Sequence, residues 1–295
     1  MTTTVDQHAA EDGEFVRDLA PAGFPAGVGA VIRALDDHPR AAVVLTDPVP
    51  PEFATAVARH PARVVEAGAD PGMVIGIAHG LALAGLRPVI QCAGPFLGRQ
   101  SAQRLALLGR SGAGVVLAAS GAPEDLGLLD AIDAIDGWTV HVPGHPEETD
   151  RLLLSALHDT GPVYLGLSSR TNRSPHPTGG LQPLRRGRSC VVLAVGPTLE
   201  PVLRATAGLD VTVLYAATVR PFDDITLRTA VLAADHPDVV LVEPYRTGAS
   251  AHLVARTLVH VPHRLLALGA SAGERDIADA VRRFLRHGPG DPARP

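Results

Sequence analysis

Short, nearly continuous apolar runs recur along this chain, separated by stretches long enough for one amphipathic helix each, and no other feature restricts the fold as far. Val43-Val44-Leu45 and Val115-Val116-Leu117 carry apolar side chains at successive positions. Successive residues of a strand point to opposite faces, so such runs need cover on both sides, as in a parallel sheet wrapped by helices. The runs predict strands over Ala41–Asp47, Ala62–Gly68, Arg87–Cys92, Gly114–Ala119, Thr139–Val142 and Pro162–Leu167, then over Cys190–Val195, Val211–Ala216, Val239–Val242 and Arg264–Leu268. Pro71 to Ala84 and Arg99 to Leu108 read as helices between them, and further helices should begin near Thr198, Asp224, Ser250 and Ala272. The fold class expected is α/β, with two doubly wound, mainly parallel-sheet domains.

The run Ser174-Pro175-His176-Pro177-Thr178-Gly179-Gly180 interrupts the rhythm and reads as a linker. The expected division is a tail over 1–22, a first domain over 23–172, a linker over 173–188, a second domain over 189–287 and a tail over 288–295. The 295 residues suffice for two such cores, and 46% hydrophobic against 19% charged residues fits globular structure throughout.

Composition also removes function classes. Net charge is −5 with the arginines scattered, so no basic face points to nucleic acid. The sequence contains no lysine, which excludes a lysine Schiff base and the phosphate-binding loop that needs one. No apolar run approaches the ~20 residues of a membrane span. Met1 to Gly13 is polar and acidic, unlike a secretory signal, so a soluble cytoplasmic protein is expected. Cys92 and Cys190 sit in apolar, strand-like runs and read as small buried hydrophobes. The histidines lack metal-site spacing, and the glycines make no G-x-G-x-x-G after a strand.

Fold alone does not select a chemistry, but the order of several motifs does. Glu66 to Gly85 reads Glu-Ala-Gly-Ala-Asp-Pro-Gly-Met-Val-Ile-Gly-Ile-Ala-His-Gly-Leu-Ala-Leu-Ala-Gly; Phe96-Leu97-Gly98-Arg99, Gly137-Trp138-Thr139-Val140-His141-Val142-Pro143 and His158-Asp159-Thr160-Gly161-Pro162-Val163-Tyr164-Leu165 follow in turn. Val195-Gly196-Pro197, Thr218-Val219-Arg220-Pro221-Phe222-Asp223 and Val242-Glu243-Pro244 complete the series. In this order, from about Gly27 to Leu268, they resemble the C-terminal half of the transketolase family: its pyrimidine-binding domain followed by its C-terminal domain. Deoxyxylulose-phosphate synthases and the beta subunits of 2-oxo acid dehydrogenases share that arrangement.

The resemblance implies thiamine diphosphate as cofactor, shared with a partner subunit that binds the diphosphate and Mg²⁺ through a G-D-G…N motif this sequence lacks. It therefore implies an N-terminal transketolase-type partner, with a homodimer of this chain at the core of a heterotetramer. The function implied is that of one subunit of a split enzyme transferring a two-carbon ketol or acyl-anion unit. The alternatives are a catalytically degenerate scaffold or regulatory partner and a 2-oxo acid dehydrogenase beta subunit. The family's activating glutamate falls on Pro71, so Asp70, one place earlier, is the candidate carboxylate; as Asp before Pro at a helix start, it reads in the first place as an N-cap. Phe96 falls on the aromatic that stacks on the aminopyrimidine, unless it is core. Arg99 aligns with an arginine near the substrate, or is a solvated helix residue. The family arginine after Tyr-Leu is Gly166 here, and Arg170 or Arg173 is the spatial substitute expected. The family's histidine loop is shortened to Gly121–Leu126.

Overall fold

A computed structural model describes residues 24–47, 49–93, 99–120 and 137–286. The expected tails, the Gly121–Leu126 loop and Phe96 lie outside the described residues. Among the described residues are twelve strands: β1 (Ala41–Leu45), β2 (Val64–Glu66), β3 (Arg87–Ala93), β4 (Val116–Ser120), β5 (Thr139–His141), β6 (Val163–Leu167), β7 (Gln182–Arg185), β8 (Val191–Val195), β9 (Thr212–Ala216), β10 (Thr218–Arg220), β11 (Val239–Val242) and β12 (Leu265–Leu268). The α-helices described with them are α1 (Phe24–Asp37), α2 (Ala54–Arg59), α3 (Pro71–Leu83), α4 (Arg99–Ser111), α5 (Pro146–His158), α6 (Leu199–Ala205), α7 (Asp224–Leu232), α8 (Ala251–Thr257) and α9 (Glu274–Arg286).

The strands form two sheets, in the orders β10-β5-β6-β4-β3-β1-β2 and β12-β11-β8-β9-β7. All pairings are parallel except those of the edge strands β10 with β5 and β7 with β9. This is the mainly parallel α/β class expected. The reason for the continuous apolar runs is visible at β1, where every residue is buried. Val44 packs with Val74, Ile75 and Ala78 of α3 and Leu105 of α4, whereas Val43 and Leu45 pack with Val31 of α1 and Leu152 of α5. Each fully buried Val or Leu contributes about 1.5–3 kcal/mol.

Two strands depart from the expected division. β7 falls within 173–188, the expected linker, and pairs antiparallel with β9. Gln-Pro-Leu-Arg is short, polar and only partly buried, as an edge strand can be, so it has no apolar run to reveal it. β10 follows β9 directly, yet joins the first sheet, with Val142 N donating to Ala217 O at 2.7 Å beside it.

The two sheets meet around one buried carboxylate. Glu148, fully buried on α5, accepts from Gly144 N at 2.8 Å and Tyr215 Oη at 2.5 Å through Oε2, and from His176 N at 2.8 Å through Oε1. Asn172 Nδ2 donates to Gly196 O at 3.2 Å alongside. A Cβ at Gly144 would stand 2.8 Å from both Gly196 O and Tyr215 Oη, so a side chain there would push the sheets apart.

His141 adds a pH dependence. It lies buried on β5 with Nδ1 3.0 Å from Thr218 Oγ1, and burial lowers its pKa to about 4, opposed by the Asp159 charge. The unfolded chain, with histidine near ~6.5, then binds a proton that the folded chain refuses. Stability should fall as pH drops from about 6.5 toward 4, by up to about 1.4 kcal/mol per pH unit. Urea unfolding across that window should show the slope, and His141→Gln should flatten it; an identical slope in the variant would clear His141 of the effect. Cys92 and Cys190 are free and buried as expected, and desolvation pushes both thiols up, Cys190 to about 12, so neither is a ready nucleophile. Among the described residues no helix is long and apolar enough to cross a membrane.

Candidate active site

In an open α/β sheet, ligands bind outside the carboxyl ends of the strands where the strand order reverses. In the first sheet that reversal lies between β1 and β3: the chain runs outward from β1 to β2, then returns to the other side of β1. The crevice is bounded by Thr46 and Asp47 after β1, by the end of β3, and by the turn from β2 to α3.

That turn is built by sequence-local rules. Gly68 has φ +73°, a conformation that favours glycine, and Asp47 N donates to Gly68 O at 3.3 Å. The chain then enters α3 with Asp70 at the N-cap and Pro71 in the first turn; Asp70 Oδ1 accepts from Met73 N at 2.7 Å. Asp70 is exposed, and among the described residues its Oδ2 has no hydrogen-bond partner. One oxygen is thus committed to the helix, while the other can accept a hydrogen bond or hold a proton for a ligand.

Two neighbours of Asp70, and one buried polar residue on the far face of β3, were not singled out from sequence. Arg104, on α4, has its guanidinium carbon 2.9 Å from the point where a Gly72 Cβ would stand, and Asp70 Oδ1 is 3.0 Å from the same point. A cation therefore faces the candidate carboxylate across Gly72, whose lack of a side chain leaves room for both groups. Asp47 is exposed at the mouth of the crevice, its Oδ2 3.7 Å from the Cβ position of Gly68. Gln91, 2% exposed on β3, has neither amide atom hydrogen-bonded among the described residues, while its carbonyl accepts from Thr46 N and Oγ1 at 3.3 Å. Its only sequence signal is a polar residue inside the apolar run Arg87–Ala93.

The other expected site residues are distributed differently. Arg99 is the first residue of α4, on the same helix as Arg104 and five residues earlier. Phe96 belongs to the segment between β3 and α4, outside the described residues. Arg170 is not grouped with Asp70. It lines a small cavity, about 20 Å³, with Thr198, Glu243 and Gly269 at the carboxyl edge of the second sheet. There Glu243 accepts from Ser250 N at 2.9 Å, and burial raises its pKa. Among the described residues no group of three His, Cys, Asp or Glu is placed to hold a metal ion.

Comparison with known proteins assigns this architecture. Residues 27–174 match the family model "Transketolase, pyrimidine binding domain". An uncharacterized 33.6 kDa protein in the fasciation locus of Rhodococcoides fascians is 47% identical over 249 residues, covering 80% of each chain. A subunit of the apulose-4-phosphate transketolase of Actinobacillus succinogenes is 25% identical over 264 residues, 80% of this chain and 83% of that one. 1-Deoxy-D-xylulose-5-phosphate synthase 2 of Geobacter sulfurreducens is 29% identical over 241 residues, 72% of this chain but 38% of the synthase, so this chain spans well under half of that relative. Among solved structures, the split gene transketolase described as an inactive beta4 tetramer superposes with a TM-score of 0.77 at 20% identity, over 88% of this chain and 97% of that one. The chain therefore belongs to the transketolase family, of which it represents the C-terminal half.

Proposed function

We propose that this chain is the second subunit of a split, thiamine-diphosphate-dependent transketolase-like enzyme that transfers a two-carbon ketol or related acyl-anion unit and acts only with a partner chain. The observation that carries this reading is the extent of the match: the relative named as a subunit of a transketolase aligns over 83% of its own length, as a separate chain of the same half. The partner would be an N-terminal transketolase-type subunit with the diphosphate-binding domain, and it would hold the Mg²⁺.

The residues present fit one side of such a site. The β1–β3 reversal offers a carboxylate oxygen at Asp70 without a hydrogen-bond partner among the described residues, and a cation at Arg104. Thiamine diphosphate, when bound, supplies the carbon centre that carries the transferred unit. This chain's part would be to seat the aminopyrimidine: Asp70 Oδ2 would hydrogen-bond the ring and promote its imino tautomer, Phe96 would stack on it, and Arg99 would hold an anionic group of the substrate. Pro71 occupies the place of the family's activating glutamate, and a proline side chain neither donates nor accepts.

A homodimeric core is supported by α3. Met73 is 58% exposed and Leu83 76%, with Gly76 and Gly80 exposed between them, on a helix without a charged residue. An apolar strip of this kind is costly in water and suits a second protomer.

The test of the split-enzyme reading is cofactor affinity. Calorimetry of the single chain with thiamine diphosphate and Mg²⁺ should show no micromolar binding, and adding the partner chain should restore it. Micromolar binding to this chain alone would overturn the proposal. The second reading, a catalytically degenerate scaffold, is favoured by Pro71 and by the commitment of Asp70 Oδ1 to the helix N-terminus.

A further inference from the structure

At the amino edge of the first sheet, opposite the Asp70 crevice, lies a cavity of about 530 Å³ lined by His38, Arg40, Arg87, Ser111, His158 and Thr160, among others. Helices α1, α3, α4 and α5 all end near it, so their free carbonyls would make the edge negative. Those carbonyls are already met in part: Arg87 Nε donates to Ala156 O at 2.8 Å, Arg40 Nε to Gly85 O at 2.9 Å and His158 Nδ1 to Leu154 O at 2.8 Å. What remains is the outer fork of Arg87. This residue is 3% exposed, and neither Nη1 nor Nη2 has a hydrogen-bond acceptor among the described residues.

A buried guanidinium whose two terminal nitrogens lack acceptors among the described residues is costly, and burial lowers the pKa of Arg87 to about 10, opposed by the Asp159 charge. The carboxylate in the lining, Asp159, spends Oδ1 on Thr160 N at 2.6 Å and Gly161 N at 3.3 Å, and forms no ion pair with Arg87. Gly114 lets the guanidinium lie across the start of β4: a Cβ there would collide with Nη1 and stand 3.0 Å from Thr160 O. Two arginines face one carboxylate in this lining, and a planar fork matches an oxyanion bidentately.

We propose that this cavity is a binding site for a phosphate-class oxyanion, free or as a monoester, with the Arg87 fork as its inner wall and Arg40 and His158 at its rim. It is separate from the candidate active site and does not depend on the enzymatic reading. Titration calorimetry of the full chain with inorganic phosphate, at ionic strength held constant with chloride, should give one saturable site. A parallel titration with glycerol 3-phosphate separates the sources: tighter binding of the monoester marks a phosphorylated metabolite, and equal or weaker binding marks free phosphate. Arg40→Gln, at an exposed side chain, should weaken binding about tenfold, and Arg87→Gln should abolish it. If Arg87→Gln does not fold, His158→Gln takes its place, with a weakening of at least threefold expected. The proposal is overturned if neither anion gives saturable heat, or if Arg40→Gln binds as tightly as the parent chain.

Discussion

Asp70→Asn, assayed in the complex with the partner chain, should lower turnover by about 10²–10⁴-fold, the usual worth of general acid–base assistance, while the chain stays folded. The substitution separates two duties of one side chain. Asp70 Oδ1 caps α3 through Met73 N, and asparagine is about as good an N-cap as aspartate, so helix stability should change by only a few tenths of a kcal/mol. What asparagine cannot do is hold a proton at Oδ2. Near-normal turnover in Asp70→Asn would reduce Asp70 to a cap and remove it from the site. Pro71→Glu is the converse experiment. Position 71 lies in the first turn of α3, where a glutamate is favoured by the helix dipole, and restoring the family residue should raise the rate at which the thiazolium carbon exchanges its proton. No gain there, together with no loss in Asp70→Asn, would make the scaffold reading the better one.

Glu148→Ala should destabilise the chain by about 2–6 kcal/mol, the scale of leaving two buried donors without an acceptor. Its carboxylate accepts from Gly144 N, His176 N and Tyr215 Oη. Among the described residues, only Gly144 N of these keeps a second acceptor, Tyr215 Oη at 3.1 Å. The other donors are left without one, at about 1–3 kcal/mol each. Burial, together with the neighbouring Glu148, also pushes the Tyr215 phenol up, so the tyrosine cannot ionise to compensate. Tyr215→Phe, which removes one donor along with its need, should cost far less, about 1–1.5 kcal/mol. The measurement is the urea midpoint of each variant at neutral pH. Because the cluster joins residues of both sheets, the parent should unfold in one transition and Glu148→Ala in two. A Glu148→Ala midpoint within error of the parent would refute the idea that this carboxylate ties the sheets together.

The sequence by itself determined whatever depends on neighbours along the chain. Strands covered on both faces must be apolar at every position, so β1, β4, β8 and β11 stand out as runs. Asp70-Pro71 announces a helix start because capping and a proline-compatible first turn are local requirements. The order of the family motifs likewise survives in one dimension. Tertiary structure decided the rest, because the remaining features depend on which distant elements pack together. β7 and β10 are short edge strands with little to bury, so only their pairing partners define them. Arg104 faces Asp70 because α4 packs beside α3, although 34 positions separate them in the sequence. Arg170 lies against the second sheet's carboxyl edge rather than beside Asp70, a consequence of how the chain leaves β6. Glu148 looks in sequence like an ordinary acidic residue of a first helical turn; two donors from distant parts of the chain, Tyr215 Oη and His176 N, join the nearby Gly144 N around its buried carboxylate and turn it into the joint between the sheets.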